Sequence, residues 1–268
     1  MHDHVYFDTV AFREIGKAFT KAQLAKSLTD NILISPITLY EVWSQLTIQN
    51  AQQILQQFHA VRNWANPERT GLLPWPDDML FQIWFEKPNP DDEFTRRIER
   101  ALNVCLAVES VEPLHEEAGK FKDVMDRGKE ETAQNFKCLL EFARKTPLSD
   151  EEFSNAWFRG IANRVKADPN SRVVSEIVSK LSGYHEFEHS KLTIATKNRN
   201  YNIEKHINDL FDAEQLIYLA DPTLRFLTCD HGIRNLVKSS PQAKRIITVS
   251  PDLLRDSVNV ERLIRELT

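Results

Sequence analysis

Short apolar runs that end on an acid and hand over to a helix occur at both ends of this 268-residue chain. The first is His4–Asp8 (HVYFD), β-branched and aromatic. After it, Phe12, Ile15, Phe19, Leu24 and Leu28 recur at helical spacing, which predicts a helix over 11–27. Asn31–Ser35 (NILIS) is the kind of continuous apolar run that buried parallel strands show. Ser35-Pro36 then opens a second helix with a capping serine and a first-turn proline, and Leu39, Val42, Trp43 and Leu46 form its inner face. From residue 207 the pattern returns. A helix is expected over 209–220, broken by Asp221-Pro222, followed by the strand Leu224–Asp230 (LRFLTCD). A short helix (232–238), a strand (245–249) and a terminal helical turn complete it. Alternating strands and helices require an α/β fold with a parallel sheet.

Between these ends, residues 48–206 read as amphipathic helices without a strand pattern, crossed by a proline-rich stretch at 67–76. Stop and start signals fall at Pro147–Ser149 and Asp168-Pro169. The expected organisation is a discontinuous α/β domain (1–60 and 200–268) interrupted by a helical insertion (61–199), with no repeat of fixed period. Only 7 glycines are present, under half the usual ~7%, which favours helices over a many-turned sandwich or barrel. Neither GxGxxG nor GxxxxGK[ST] occurs, so glycine-rich phosphate loops are excluded. Cys105, Cys138 and Cys229 lack CxxC spacing; they make neither a disulfide framework nor a zinc knuckle and are expected as core thiols. The opening MHDHVYFDTV has no leader pattern, and no apolar run approaches ~18 residues. The expectation is a chain without a membrane span, in a reducing, cytoplasmic setting.

Four acids occupy related places. Asp8 and Asp230 end strands, Glu41 lies in the helix after the second strand, and Asp212 lies early in the helix before Leu224–Asp230. Open parallel sheets bind ligands outside the carboxyl ends of their strands. Four carboxylates gathered at such an edge repel one another unless a cation is present. Hard oxygen ligands suit Mg²⁺ or Mn²⁺, which activates water and neutralises charge on a phosphoryl group.

VYFDT, ISPITLYE, DLFDAEQLIYLA and LRFLTCD, in this order, resemble the PIN-domain family of metal-dependent nucleases. The match spans roughly 5–47 and 207–250, about a third of the chain. The resemblance implies a three-layer α/β/α core with a parallel sheet and an acidic site holding Mg²⁺ or Mn²⁺. It implies cleavage of single-stranded RNA by attack of metal-bound water; many members are toxins of toxin–antitoxin pairs. The family's four acids map to Asp8, Glu41, Asp212 and Asp230, and its hydroxyl two residues before the last acid maps to Thr228. Asp209, one turn before Asp212, is a spare ligand. Val10 stands where the family usually carries a polar residue, often Asn. That departure motivates an alternative, a catalytically silent PIN-like scaffold whose helical insertion binds a partner. The expected partners are single-stranded RNA, an antitoxin-like protein on the insertion, and a second copy in a homodimer.

His185-Glu186-Phe187-Glu188-His189 matches the zinc-peptidase pattern HExxH, a remote alternative; a solvated helix face is the preferred reading. The tryptophans 43, 64, 75, 84 and 157 read as packing residues rather than a base-stacking platform. The net charge of −5 argues against a phosphate-binding surface, but it is local. Residues 86–131 carry 13 acids and 8 basic residues, whereas 159–199 carry 8 basic residues and 4 acids. Lys191, Lys197 and Arg199 are the expected nucleic-acid contacts.

Overall fold

The computed structural model describes residues 3–19, 31–64, 71–90 and 107–268 except 147 and 148, together with 96, 100, 101 and 104. The expectations on Leu24, Leu28, Cys105, the crossing at 67–70, most of the helix at 91–108 and the stop at Pro147 lie outside the described residues. Three strands, β1 (His4–Phe7), β2 (Leu224–Thr228) and β3 (Ile246–Thr248), form one parallel sheet in the order β1-β2-β3. Tyr6 lies opposite Phe226, and Phe226 opposite Ile246. The NILIS run lies along the free side of β1 through a single parallel bridge, Val5 to Ile32, and Ile34 bridges in turn to Leu72. Gly71 O and Leu73 N close that outer contact on Ile34 at 2.6 and 2.9 Å. Read across the sheet, the chain therefore runs 72, 32–34, β1, β2, β3, and its winding changes sides beside β1. Ligands of open α/β sheets bind at such a switch point.

Helices cover both faces. In chain order they are α1 (Thr9–Phe19), α2 (Pro36–Ser44), α3 (Ala51–Trp64), α4 (Pro76–Phe85), α5 (Val111–Lys145), α6 (Asp150–Val165), α7 (Arg172–Lys180), α8 (Ser182–Lys197), α9 (Ile207–Gln215), α10 (His231–Leu236), α11 (Pro251–Leu254) and α12 (Ser257–Leu267). The α/β class expected from the pattern is present, with more helix than sheet. Side chains alternate along β1, so Val5 and Phe7 face one core while Tyr6 faces the other. The first core takes Phe12 and Ile15 from α1, Ile54 and Phe58 from α3, and Ile264 from α12. The second takes Ile37 and Tyr40 from α2, Phe187 from α8, Phe211 from α9 and Tyr218 after it. Tyr6 stacks on Phe226 with ring centroids 4.9 Å apart.

Two features differ from the sequence expectations. The C-terminus carries α12 rather than one turn, because Val260 and Ile264 fall on one buried face and Asp256 accepts from Val258 N and Asn259 N at its start. The stretch 61–199 also reaches both cores: Leu114 and Ala118 of α5 pack with Val5 and Phe7, and Leu73 and Phe187 with Tyr6. Among the described residues no helix is long and apolar enough to cross a membrane.

Candidate metal centre

Asp8 follows β1 directly and starts α1. Its Oδ1 accepts from Ala11 N at 2.6 Å, an N-cap, while Oδ2 accepts from the Thr228 hydroxyl and, at 3.0 Å, from Cys229 N. The same Thr228 oxygen accepts from Asp230 N at 2.9 Å. Thr228 thus ties the end of β1 to the end of β2, beside each other in the sheet. Asp230 caps α10 through Gly232 N at 2.6 Å and is otherwise exposed to solvent.

Glu41 and Asp212 are brought in by a buried polar relay. The Thr38 hydroxyl donates to Phe7 O at 2.6 Å, and Gln215 Nε2 donates to the Thr38 oxygen at 3.1 Å. Tyr6 OH donates to Gln215 O at 2.7 Å. Glu41 lies one turn after Thr38 on α2, and Asp212 one turn before Gln215 on α9. Pinning Thr38 and Gln215 to β1 therefore carries both acids to the edge where Asp8 ends its strand. Glu41 Oε2 accepts from the Thr9 hydroxyl, next to Asp8.

Burial pushes the Asp8 carboxyl above its ordinary range against the pull of its three hydrogen bonds, and the charge of Asp230 adds to the rise. Glu41 is raised by burial and by Asp8, opposed by Thr9, Lys129 and Arg13. Asp212 is raised as well, by burial and then by the charges of Glu41, Asp209, Asp8 and Asp230. It is half-buried and accepts no hydrogen bond among the described residues. Glu41, Asp8 and Asp230 therefore all act on Asp212, Asp8 acts on Glu41, and Asp230 acts on Asp8. Among the described residues no three His, Cys, Asp or Glu side chains form a group that could hold an ion directly. The donor set suits Mg²⁺ or Mn²⁺ held by one or two carboxylates and several waters.

The remaining expected residues separate. Asp209 contributes to the field at Asp212, but its Oδ2 already holds Lys191 Nζ at 2.7 Å and faces His206 Nδ1 at 3.0 Å. A role as spare ligand would cost that pair. Lys191 lies next to the acids through Asp209, whereas Lys197 and Arg199 are exposed at and beyond the end of α8. Four residues near the acids were not foreseen. Thr9 holds Glu41, while Arg13 and Lys129 supply positive charge to it. Tyr40, before Glu41, has a buried hydroxyl without a hydrogen-bond partner among the described residues. Arg13 follows Thr9 by four positions, so the α1 periodicity carried a signal. Lys129 is remote in sequence and carried none.

The HExxH segment lies on α8, which starts at Ser182; Gly183 N donates to Gln242 Oε1 at 2.7 Å, leaving no room for a Cβ. The segment is not a solvated face. Phe187 is buried, and Glu188 is pushed up to about 7 by burial while accepting from Tyr184 OH at 2.8 Å. His185 lies against Phe153 and Trp157, and burial lowers it to about 4. His189 faces Asp150 at 3.3 Å, and Glu186 accepts from Ser239 N at 3.0 Å. Packing occupies these side chains. Trp43 is buried against Phe58, as expected of a core residue. Cys138 corrects the expectation of a core thiol: it is exposed on α5, two positions from each of the buried Phe136 and Leu140.

Comparison of the chain with family models, with curated proteins and with solved structures finds no match.

Proposed function

We propose that the chain is a Mg²⁺- or Mn²⁺-dependent nuclease of the PIN type that cleaves single-stranded RNA. One observation carries this reading. Asp8, Glu41, Asp212 and Asp230, from four separate elements, share one electrostatic environment at the carboxyl edge of a parallel sheet. Its place at the switch point beside β1 supports a ligand site rather than a chance acidic surface.

One or two of Asp8, Glu41, Asp212 and Asp230 would hold the ion directly, and the others would act on it through bound waters. A divalent ion there supplies positive charge for the phosphoryl oxygens and makes a water acidic enough to act as nucleophile at neutral pH. Thr228 fixes Asp8 against Cys229 N, Thr9 fixes Glu41, and Lys191 withdraws Asp209 from the immediate cluster. These contacts would hold the carboxylates in place before substrate arrives.

The experiment pairs cleavage of labelled single-stranded RNA with calorimetric Mn²⁺ titration. Asp8→Asn and Asp230→Asn are expected to lower cleavage by about a hundredfold or more and to weaken Mn²⁺ binding. Equal cleavage by wild type and both variants would overturn the proposal. A second reading, the silent scaffold, draws on Val10, which is 48% exposed beside Asp8 and offers no polar contact. It expects neither cleavage nor heat on adding Mn²⁺.

A further inference from the structure

Helix α5 runs for 35 residues, about 52 Å, and belongs to the stretch between the two α/β segments. Its start packs into the first core through Leu114 and Ala118, and its end packs on α8 through Phe136 and Leu140. Lys129 lies between these anchors, where α5 passes α2 and α9. Its Nζ is 5.0 Å from the Tyr40 ring centroid and 5.6 Å from that of Phe211. Those rings are 5.9 Å apart, and each immediately precedes an acid of the cluster, Glu41 or Asp212.

The ammonium is therefore held by ring faces at the margin of the acids. Among the described residues it forms no hydrogen bond or ion pair, although its charge is felt at Glu41. Glu41 already accepts from Thr9. Aromatic faces attract an ammonium without consuming its three N–H donors. A half-buried lysine whose ammonium lies over two ring faces and whose donors are unspent among the described residues is arranged to meet an anion. The anion that an acidic, metal-binding edge admits is one that arrives with the cation, a phosphate.

We propose that Lys129 is a substrate-binding residue that contacts a backbone phosphate of the RNA, so that the helical stretch completes the site rather than only flanking it. This rests on the nuclease reading above and adds to it a residue from outside the segments resembling the family. Tyr40 and Phe211 are positioning residues that hold the lysine ammonium.

Steady-state cleavage of a labelled 12-nucleotide single-stranded RNA with Mn²⁺ tests it, for wild type, Lys129→Met and Lys129→Arg, across a series of NaCl concentrations. Thermal melts of the three proteins accompany it. Lys129→Met is expected to raise KM about tenfold with kcat within twofold of wild type. It should also flatten the plot of log(kcat/KM) against log[NaCl] by about 0.7, the loss of one phosphate contact to a single strand. Lys129→Arg is expected to keep the wild-type slope, which reads the charge even where Lys129→Met melts early. An unchanged KM and slope in Lys129→Met, or a loss confined to kcat, would overturn the proposal while leaving the nuclease reading standing. A wild-type protein that cleaves no RNA with Mn²⁺ would overturn both.

Discussion

A carboxylate is stabilised by the hydrogen bonds it accepts, and the acids of this site differ sharply in that respect. Asp8 accepts three, one of them a helix cap, so it serves the fold as well as any ligand. Asp212 accepts none among the described residues and lies in the field of Glu41, Asp209, Asp8 and Asp230. Its folded-state pKa lies above its unfolded value, so the folded form holds the extra proton and stability falls as pH climbs above the unfolded pKa. Asp212→Asn removes that penalty. It is expected to raise stability without metal at pH 7–8 by about 1 kcal/mol, roughly 2–4 °C in Tm, and to abolish stabilisation by added Mn²⁺. Differential scanning calorimetry with and without Mn²⁺ checks both effects; a lower Tm without metal would make Asp212 a structural acid. The four acids could be singled out because Asp8 and Asp230 end apolar runs and Glu41 and Asp212 lie in helices next to such runs. Their neighbours were less so. Thr228 could be found two positions before Asp230, but nothing in the order of residues links Lys129 to Tyr40 and Phe211.

At the level of elements, strands and caps were the readable parts. Ser35 accepts from Ile37 N at 3.2 Å with Pro36 in the first turn, as the Ser-Pro pair requires. Gly71–Leu73 was missed because one bridge against Ile34 leaves no run long enough to alternate. Helix α8 was misread for a different reason. Its charged letters suggest solvent, yet Glu188 and Glu214 are both half-buried: burial pushes Glu188 up to about 7, and burial with the charges of Asp77 and Glu188 pushes Glu214 up to about 8. Charge alone does not report which face the neighbouring helices cover. The consequence is a measurable pH dependence. A carboxyl group raised from the ordinary 4.5 to about 7 is protonated in both states at low pH and contributes a growing penalty between the two values. Glu188→Gln keeps an acceptor for Tyr184 OH and removes the penalty. It is expected to leave urea stability unchanged near pH 4.5 and to raise it at pH 8 by on the order of 1–3 kcal/mol. His185, lowered to about 4, gives the opposite slope between about 4 and the ordinary 6.5 and is present in both proteins, so the difference between them reads Glu188 together with the relief of its charge on Glu214. Equal stabilities at pH 8 would show that water reaches this carboxylate.

The whole molecule shows why two α/β segments at opposite ends of a chain need what lies between them. The sheet is small, three strands with two bridged extensions, and each face must be covered to exclude water. Composition and periodicity showed that a helical block separated the halves. They did not show where its helices pack, because an amphipathic stripe fixes a buried face and not the surface that buries it. Leu114 and Ala118 belong to the core of Val5 and Phe7, and Leu73 and Phe187 to the core of Tyr6. Losing one large buried side chain from a core costs about 2–5 kcal/mol, and a domain's whole stability is about 5–15 kcal/mol. Excising 61–199 removes Leu73, Leu114, Ala118 and Phe187 together and also the Leu72 bridge to Ile34. The loss reaches or exceeds the stability available. A chain joining residue 60 to residue 200 is therefore expected to show no cooperative transition in a urea titration followed by circular dichroism. The intact chain should unfold cooperatively under the same conditions. A cooperative transition in the shortened chain would instead mean that the two end segments close their core alone, with the helices between them packed on its outside.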